Sequence, residues 1–200
     1  VLALLLLAAA GGRPAAAAER VLVAFGDSLT AGYGVPREES YPAQLERRLR
    51  AAGYAYRVVN AGVSGDTTAG ALRRVDWALR SQPDVVVVVL GANDGLRGQD
   101  LRATRDNLAA IVARFQEAGA RVLLGGMRLP PNYGAAYDAA FRRVYEAVAR
   151  ERRVPLVPFF LDGVAGDRRL NLPDGIHPTG RGYAVIVERL WPHLEPLLAR

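Results

Sequence analysis

The sequence has no cysteine. That excludes disulfides, thiolate nucleophiles, cysteine-rich zinc sites and, within these residues, lipid attachment through a lipoprotein cysteine. Lysine is absent as well, so the formal charge of +6 is carried by arginine alone, scattered along amphipathic stretches with no run longer than two. Nucleic-acid binding would want a concentrated basic strip with interleaved aromatics, and none is present; weak, transient attraction to an anionic lipid surface stays open. Two histidines leave little material for a histidine metal cluster. Long apolar runs are missing too. The longest opening run, VLALLLLAAA over residues 1–10, is too short for a bilayer-spanning helix and fits the apolar region of a secretory signal peptide. Ala15-Ala16-Ala17 offers a small-residue cleavage site, so residues 1–18 are expected to be a leader or its remnant, with the mature chain beginning near Glu19 in the periplasm or outside the cell; an uncleaved anchor is the rival reading.

What is present is enough apolar material for one domain: half of the 200 residues are hydrophobic. Past the leader, apolar runs alternate with amphipathic stretches. Strands are expected over residues 21–25, 57–60, 85–90, 121–124 and 154–160, the last broken by Pro155 and Pro158. Helices are expected over residues 41–52, 67–81, 101–118, 137–152 and 179–199, with Pro192 and Pro196 splitting the end of the last. The run over 85–90 is apolar at every position, as in a strand buried on both faces of a parallel sheet. Five strand–helix alternations predict an α/β fold: a three-layer α/β/α sandwich around a mostly parallel five-stranded sheet, covering residues 19–200 as a single domain.

In such folds, sites form beyond the carboxyl ends of the strands, so the polar, glycine-rich segments after each apolar run matter most. Gly26-Asp27-Ser28-Leu29 follows the first strand, Asn60 to Thr67 the second and Gly91-Ala92-Asn93-Asp94-Gly95 the third, while Asp174-Gly175-Ile176-His177-Pro178 precedes the last helix. Asp174, three residues before His177 in a turn, is placed to accept the imidazole Nδ1 proton and leave Nε2 as a base. Alone, the pair reads more often as a histidine capping the next helix. Ser28 alone reads more often as a helix cap, Gly65 as a loop glycine and Asn93 as a turn asparagine. Together they supply a nucleophile, its base and orienting acid, and oxyanion donors from the Ser28 and Gly65 N–H groups and the Asn93 amide. Gly-x-Ser-x-Gly is absent, which disfavours a standard α/β-hydrolase, and no dinucleotide or phosphate-loop pattern follows the first strand.

At these residues the chain resembles the GDSL hydrolases, also called SGNH hydrolases, whose four marker residues are matched by Ser28, Gly65, Asn93 and His177. The similarity runs from about Val21 to the C-terminus. The strings around Ser28, Asn93 and His177, with Arg128-Leu129-Pro130-Pro131-Asn132-Tyr133-Gly134, resemble a branch of bacterial periplasmic enzymes with thioesterase, protease, lysophospholipase and arylesterase activities. The resemblance implies a flavodoxin-like fold, a Ser28–Asp174–His177 triad, no metal or cofactor, and hydrolysis of aryl esters, acyl-CoA thioesters and lysophospholipids. It also implies a mobile loop over residues 95–100 beside the acyl groove. Ala92 departs from the branch, where glycine is usual.

The substrate site is expected to include Gly95, Leu96 and Arg97, with Leu129, Pro130 and Tyr133 as an apolar wall and Arg97 and Arg128 meeting an anionic head group. The partner is expected to be a small acyl ester or thioester, and the chain a monomer. A carbohydrate O-deacetylase and a non-catalytic lipid or glycan binder are the alternatives, to be separated by assay on acyl versus acetylated polysaccharide substrates and by fluorophosphonate labelling.

Overall fold

The computed structural model describes residues 19–199, so the leader expected over residues 1–18 lies outside the described residues. Five parallel strands form one sheet: β1 (Arg20–Gly26), β2 (Tyr56–Gly62), β3 (Val85–Val89), β4 (Arg121–Gly125) and β5 (Leu156–Val157), in the order β2-β1-β3-β4-β5. Every residue of β3 is fully buried, as its uninterrupted valine run requires of a strand covered on both faces. Burying each of those side chains contributes roughly 1.5 kcal/mol or more against leaving it in water.

The helices are α1 (Ser28–Ala31), α2 (Tyr41–Ala51), α3 (Thr68–Leu72), α4 (Val75–Leu79), α5 (Ala92–Leu96), α6 (Leu101–Glu117), α7 (Ala135–Arg152) and α8 (Gly180–Leu194). α2 packs against α8, while α6 packs against α3, α4 and α7, giving the two helical layers of an α/β/α sandwich. Among the described residues no helix is long and apolar enough to cross a membrane.

Three elements differ from expectation. The helix expected over 67–81 is two short helices, broken where the Arg74 backbone (φ −112°, ψ 9°) leaves helical values and its side chain turns inward to the strand ends. The strand expected over 154–160 pairs only through Leu156 and Val157, because Pro155 and Pro158 on either side have no N–H to give the ladder. Conversely, α8 continues through Pro192 to Leu194. Trp191 and Leu194 are buried on either side of that proline, and their packing offsets the one lost backbone bond. Pro196 lies in a following 3-10 turn, Glu195–Leu197.

The order β2-β1-β3 places the topological switch between β1 and β3, the crevice where open α/β sheets bind ligands. The chain leaving β1 carries Ser28, the chain leaving β2 carries Gly65, and the chain leaving β3 carries Asn93. Gly26, at the end of β1, has no room for a side chain: a Cβ there would collide with the Val89 carbonyl and the Thr30 hydroxyl.

Candidate active site

Ser28 is the first residue of α1, whose N-terminus is capped by the buried Asp27; its carboxylate Oδ1 accepts the Leu29 N–H at 3.0 Å. At the first helical position a backbone N–H has no intrahelical acceptor, so the Ser28 N–H is not taken up by the α1 ladder. The hydroxyl lies 2.9 Å from His177 Nε2, across 149 residues of sequence. His177 Nδ1 lies 2.7 Å from Asp174 Oδ2, while Asp174 Oδ1 accepts the Ile176 and His177 N–H groups at 2.9 and 3.0 Å. The turn is locked from behind by Leu172 N–H donating to the His177 carbonyl at 2.7 Å. Burial works to raise the Asp174 carboxyl, but those two N–H bonds and the imidazole outweigh it and hold the group down at about 2.

Gly65 sits at φ +79°, a left-handed conformation that a side chain would strain. Its carbonyl accepts from Arg97 Nη2 at 3.1 Å. Asn93, in the first turn of α5, donates Nδ2 to the Asp66 carbonyl at 2.9 Å, and the same nitrogen stands 3.5 Å from Asp27 Oδ2. The second contact is too long to be strong, which leaves one amide hydrogen ready to exchange it for a better acceptor. The neighbouring Asp94 is buried and accepts from the Thr68 N–H and hydroxyl at 2.9 and 2.5 Å, tying α5 to the start of α3.

A cavity of about 860 Å³ opens beside these groups. Leu96, Arg128, Leu129 and Pro130 line it as expected, and Ala92, the departure noted in the sequence, lines it too. Gly95, Arg97 and Tyr133 do not reach its wall. Gly95 is buried, and a Cβ there would press on Leu129 and Phe141. Arg97 is turned to the Gly65 carbonyl. Tyr133 donates its hydroxyl to the Leu96 carbonyl at 3.0 Å, beside Tyr137, which donates to the Gly95 carbonyl at 3.2 Å; both support the loop from outside the cavity. Sequence reading missed Tyr33, Met127, Phe159, Leu161 and Ile176, all on the wall. Of these, only Tyr33 carried a local signal, as an aromatic between two glycines five residues after Ser28.

The matched features extend to whole chains. Residues 24–185 match the model of the GDSL-like lipase/acylhydrolase family. The chain belongs to that family. It is similar to the esterase TesA of Pseudomonas aeruginosa, 46% identical over 183 residues and 91% of each chain. It is 40% identical over 185 residues to the thioesterase 1/protease 1/lysophospholipase L1 of Escherichia coli, covering 92% of this chain and 87% of that one. Among solved structures, it superposes with a TM-score of 0.83 on the psychrotrophic esterase EstA of a Pseudoalteromonas species inhibited by monoethylphosphonate, 32% identical over 88% of this chain and 97% of that one. As a GDSL-family chain it is a carboxylic ester hydrolase, and the polar groups gathered at the ends of β1, β2 and β3 are where its chemistry must be sought.

Proposed function

We propose that the chain is a serine hydrolase that cleaves acyl esters and thioesters through an acyl-enzyme on Ser28. The observation that carries this is the 2.9 Å approach of His177 Nε2 to Ser28 Oγ, with Asp174 2.7 Å behind the ring. The carboxylate fixes the tautomer, so Nε2 is the acceptor. His177 takes the Ser28 proton as Oγ attacks the acyl carbonyl. The tetrahedral oxyanion accepts hydrogen bonds from the Ser28 and Gly65 N–H groups and from Asn93 Nδ2, released from Asp27. His177 then gives the proton to the departing alcohol or thiol oxygen or sulfur. Water, deprotonated by the same imidazole, attacks the acyl-enzyme and frees the acid and Ser28.

The cavity supports a substrate with an acyl chain over an acetylated sugar. Its wall carries Leu29, Met127, Leu129, Phe159, Leu161 and Ile176, apolar surface for which a two-carbon acetyl group has no use. Aryl esters, acyl-CoA and lysophospholipids are the substrates this reading names, the chain acts as a monomer, and its leader sends it to the periplasm or outside the cell.

A chain-length series of p-nitrophenyl esters and acyl-CoAs on purified enzyme tests the reading. Turnover is expected to rise from acetyl to medium-chain esters, a fluorophosphonate to label the protein once, and Ser28→Ala to abolish labelling and lower kcat by roughly 10⁴ or more. Undiminished turnover in folded Ser28→Ala would end the proposal.

A further inference from the structure

The Arg74 side chain bonds to the ends of both β1 and β2 and to the turn carrying Gly65. It is four-fifths buried, with 18% of its side chain exposed. Nε donates to Asp66 Oδ2 at 2.7 Å, Nη1 to the Ala61 carbonyl at 2.8 Å and Nη2 to the Gly26 carbonyl at 2.7 Å. The guanidinium carbon stands 4.3 Å from the centroid of the Phe25 ring. Ala61 is in β2, Gly26 ends β1 two residues before Ser28, and Asp66 directly follows Gly65. The Asp66 carbonyl, in turn, is the acceptor that holds Asn93 Nδ2.

We infer that Arg74 is a positioning residue for the oxyanion hole, setting the spacing of the Ser28, Gly65 and Asn93 donors through Gly26 and Asp66. This rests on the reading of those three groups as oxyanion donors given above. The guanidinium suits the task because it is planar and presents its N–H groups in a fixed fork, so three acceptors on separate segments are held at set distances from one another. An ammonium is a single point and cannot bridge them. The chain gives up helical structure to make these bonds: the break between α3 and α4 falls at Arg74. A buried ion pair of this kind would be replaceable by apolar residues if stability were its only use. What it adds is the relative placement of groups that must meet a developing charge within a few tenths of an ångström.

Arg74→Met, which keeps the stem over Phe25, and Arg74→Lys test this on the full chain with a p-nitrophenyl ester, alongside Asn93→Ala. Both Arg74 variants are expected to lose roughly 10- to 100-fold in kcat with KM within about two-fold of wild type. Affinity for a trifluoromethyl ketone, which forms an oxyanion on Ser28, is expected to fall by the same factor. Lysine is expected not to rescue. A folded Arg74→Met protein with kcat within two-fold of wild type overturns the inference whatever its melting temperature, as does full rescue by lysine. If Asn93→Ala leaves kcat intact, it is the oxyanion-hole reading that fails; if Asn93→Ala loses activity and Arg74→Met does not, only the role of Arg74 fails. Should neither Arg74 variant fold, a phosphonate adduct of the unaltered enzyme decides. The phosphoryl oxygen is expected within hydrogen-bond distance of all three donors with the three Arg74 bonds kept, and an adduct that forms only as those bonds break overturns the inference.

Discussion

The Tyr33 ring lies against the His177 imidazole, with centroids 4.6 Å apart and planes tilted by 42°, although more than half of the tyrosine is exposed to solvent (53%). An aromatic this exposed gains little by packing alone; what its position does is restrict the swing of the imidazole it lies against. Tyr33→Ala is therefore expected to lower kcat/KM by about 2- to 10-fold, the size of a ring–ring contact, while Tyr33→Phe keeps wild-type values. Steady-state kinetics on a small aryl ester, which reaches little of the acyl groove, checks this. A loss in the phenylalanine variant would instead implicate the hydroxyl.

The pH dependence follows from Asp174. Its folded carboxyl, at about 2, lies below the usual unfolded value of about 3.9. The stabilisation from its bonds is therefore present above the unfolded value and lost as pH falls through about 2. Between about pH 5 and 8 this carboxylate stays ionised, so its hold on the His177 ring is kept across that range. Asp174→Asn is expected to fold and to lose on the order of 10⁴ in kcat, because an amide donates as well as accepts and no longer enforces the tautomer.

Asp27 behaves in the opposite sense. Burial pushes its carboxyl up to about 7, with the Leu29 N–H opposing and the charge of Asp66 adding to the rise. Its charged neighbourhood is Asp66 and Asp94, with Arg74 spent on the Gly26 carbonyl and Asp66, and the buried hydroxyls of Tyr41, Tyr145 and Tyr183 lie within its field. A raised folded pKa means that its contribution is fully present below the unfolded value of about 3.9 and is lost as pH rises through about 7. Asp27→Asn keeps a side-chain oxygen to cap α1 and is expected to melt higher than wild type at pH 8 and level with it at pH 4. Melting curves at the two pH values measure the difference; an equal offset at both would assign the effect to packing instead.

Much of this arrangement is legible in the sequence, for reasons that differ from residue to residue. The valine run of β3 announces a strand covered on both sides because every position is apolar, and that places Asn93 at a central strand end. The Asp174–His177 contact is local, three residues apart in a turn, and local geometry is what spacing encodes. The break at Arg74 was not legible: the apolar spacing of Leu72, Val75 and Leu79 continues through it, and only the folded sheet offers the Gly26 and Ala61 carbonyls that draw the guanidinium inward. Leu161 and Ile176 stayed hidden for the same reason, since each reaches the cavity from a loop with no periodicity of its own. Gly95 and Tyr133 are expected on the wall because they neighbour residues that are, yet Gly95 is buried against Leu129 and Phe141 and the Tyr133 hydroxyl is turned to the Leu96 carbonyl, contacts that only the folded chain brings about.

On the proposed reading, Arg128 is expected to separate charged from uncharged substrates. It lies on the cavity wall, exposed, with its guanidinium 5.6 Å from the Phe159 ring centroid. Among the described residues it forms no ion pair, whereas nearby Arg189 is taken by Asp162 at 2.7 Å. A cation left without a carboxylate at the mouth of an apolar groove attracts an anionic leaving group, and does so more weakly as salt rises. Arg128→Ala is expected to raise KM for an acyl-CoA by about 2- to 10-fold at low salt, the range of one partly solvated charge contact, and to leave KM for the uncharged p-nitrophenyl octanoate unchanged. Raising the ionic strength is expected to bring wild type and variant together on the acyl-CoA. Equal losses on both substrates would place Arg128 in the acyl wall through its stem and its contact with Phe159, and would remove its charge from the account of specificity.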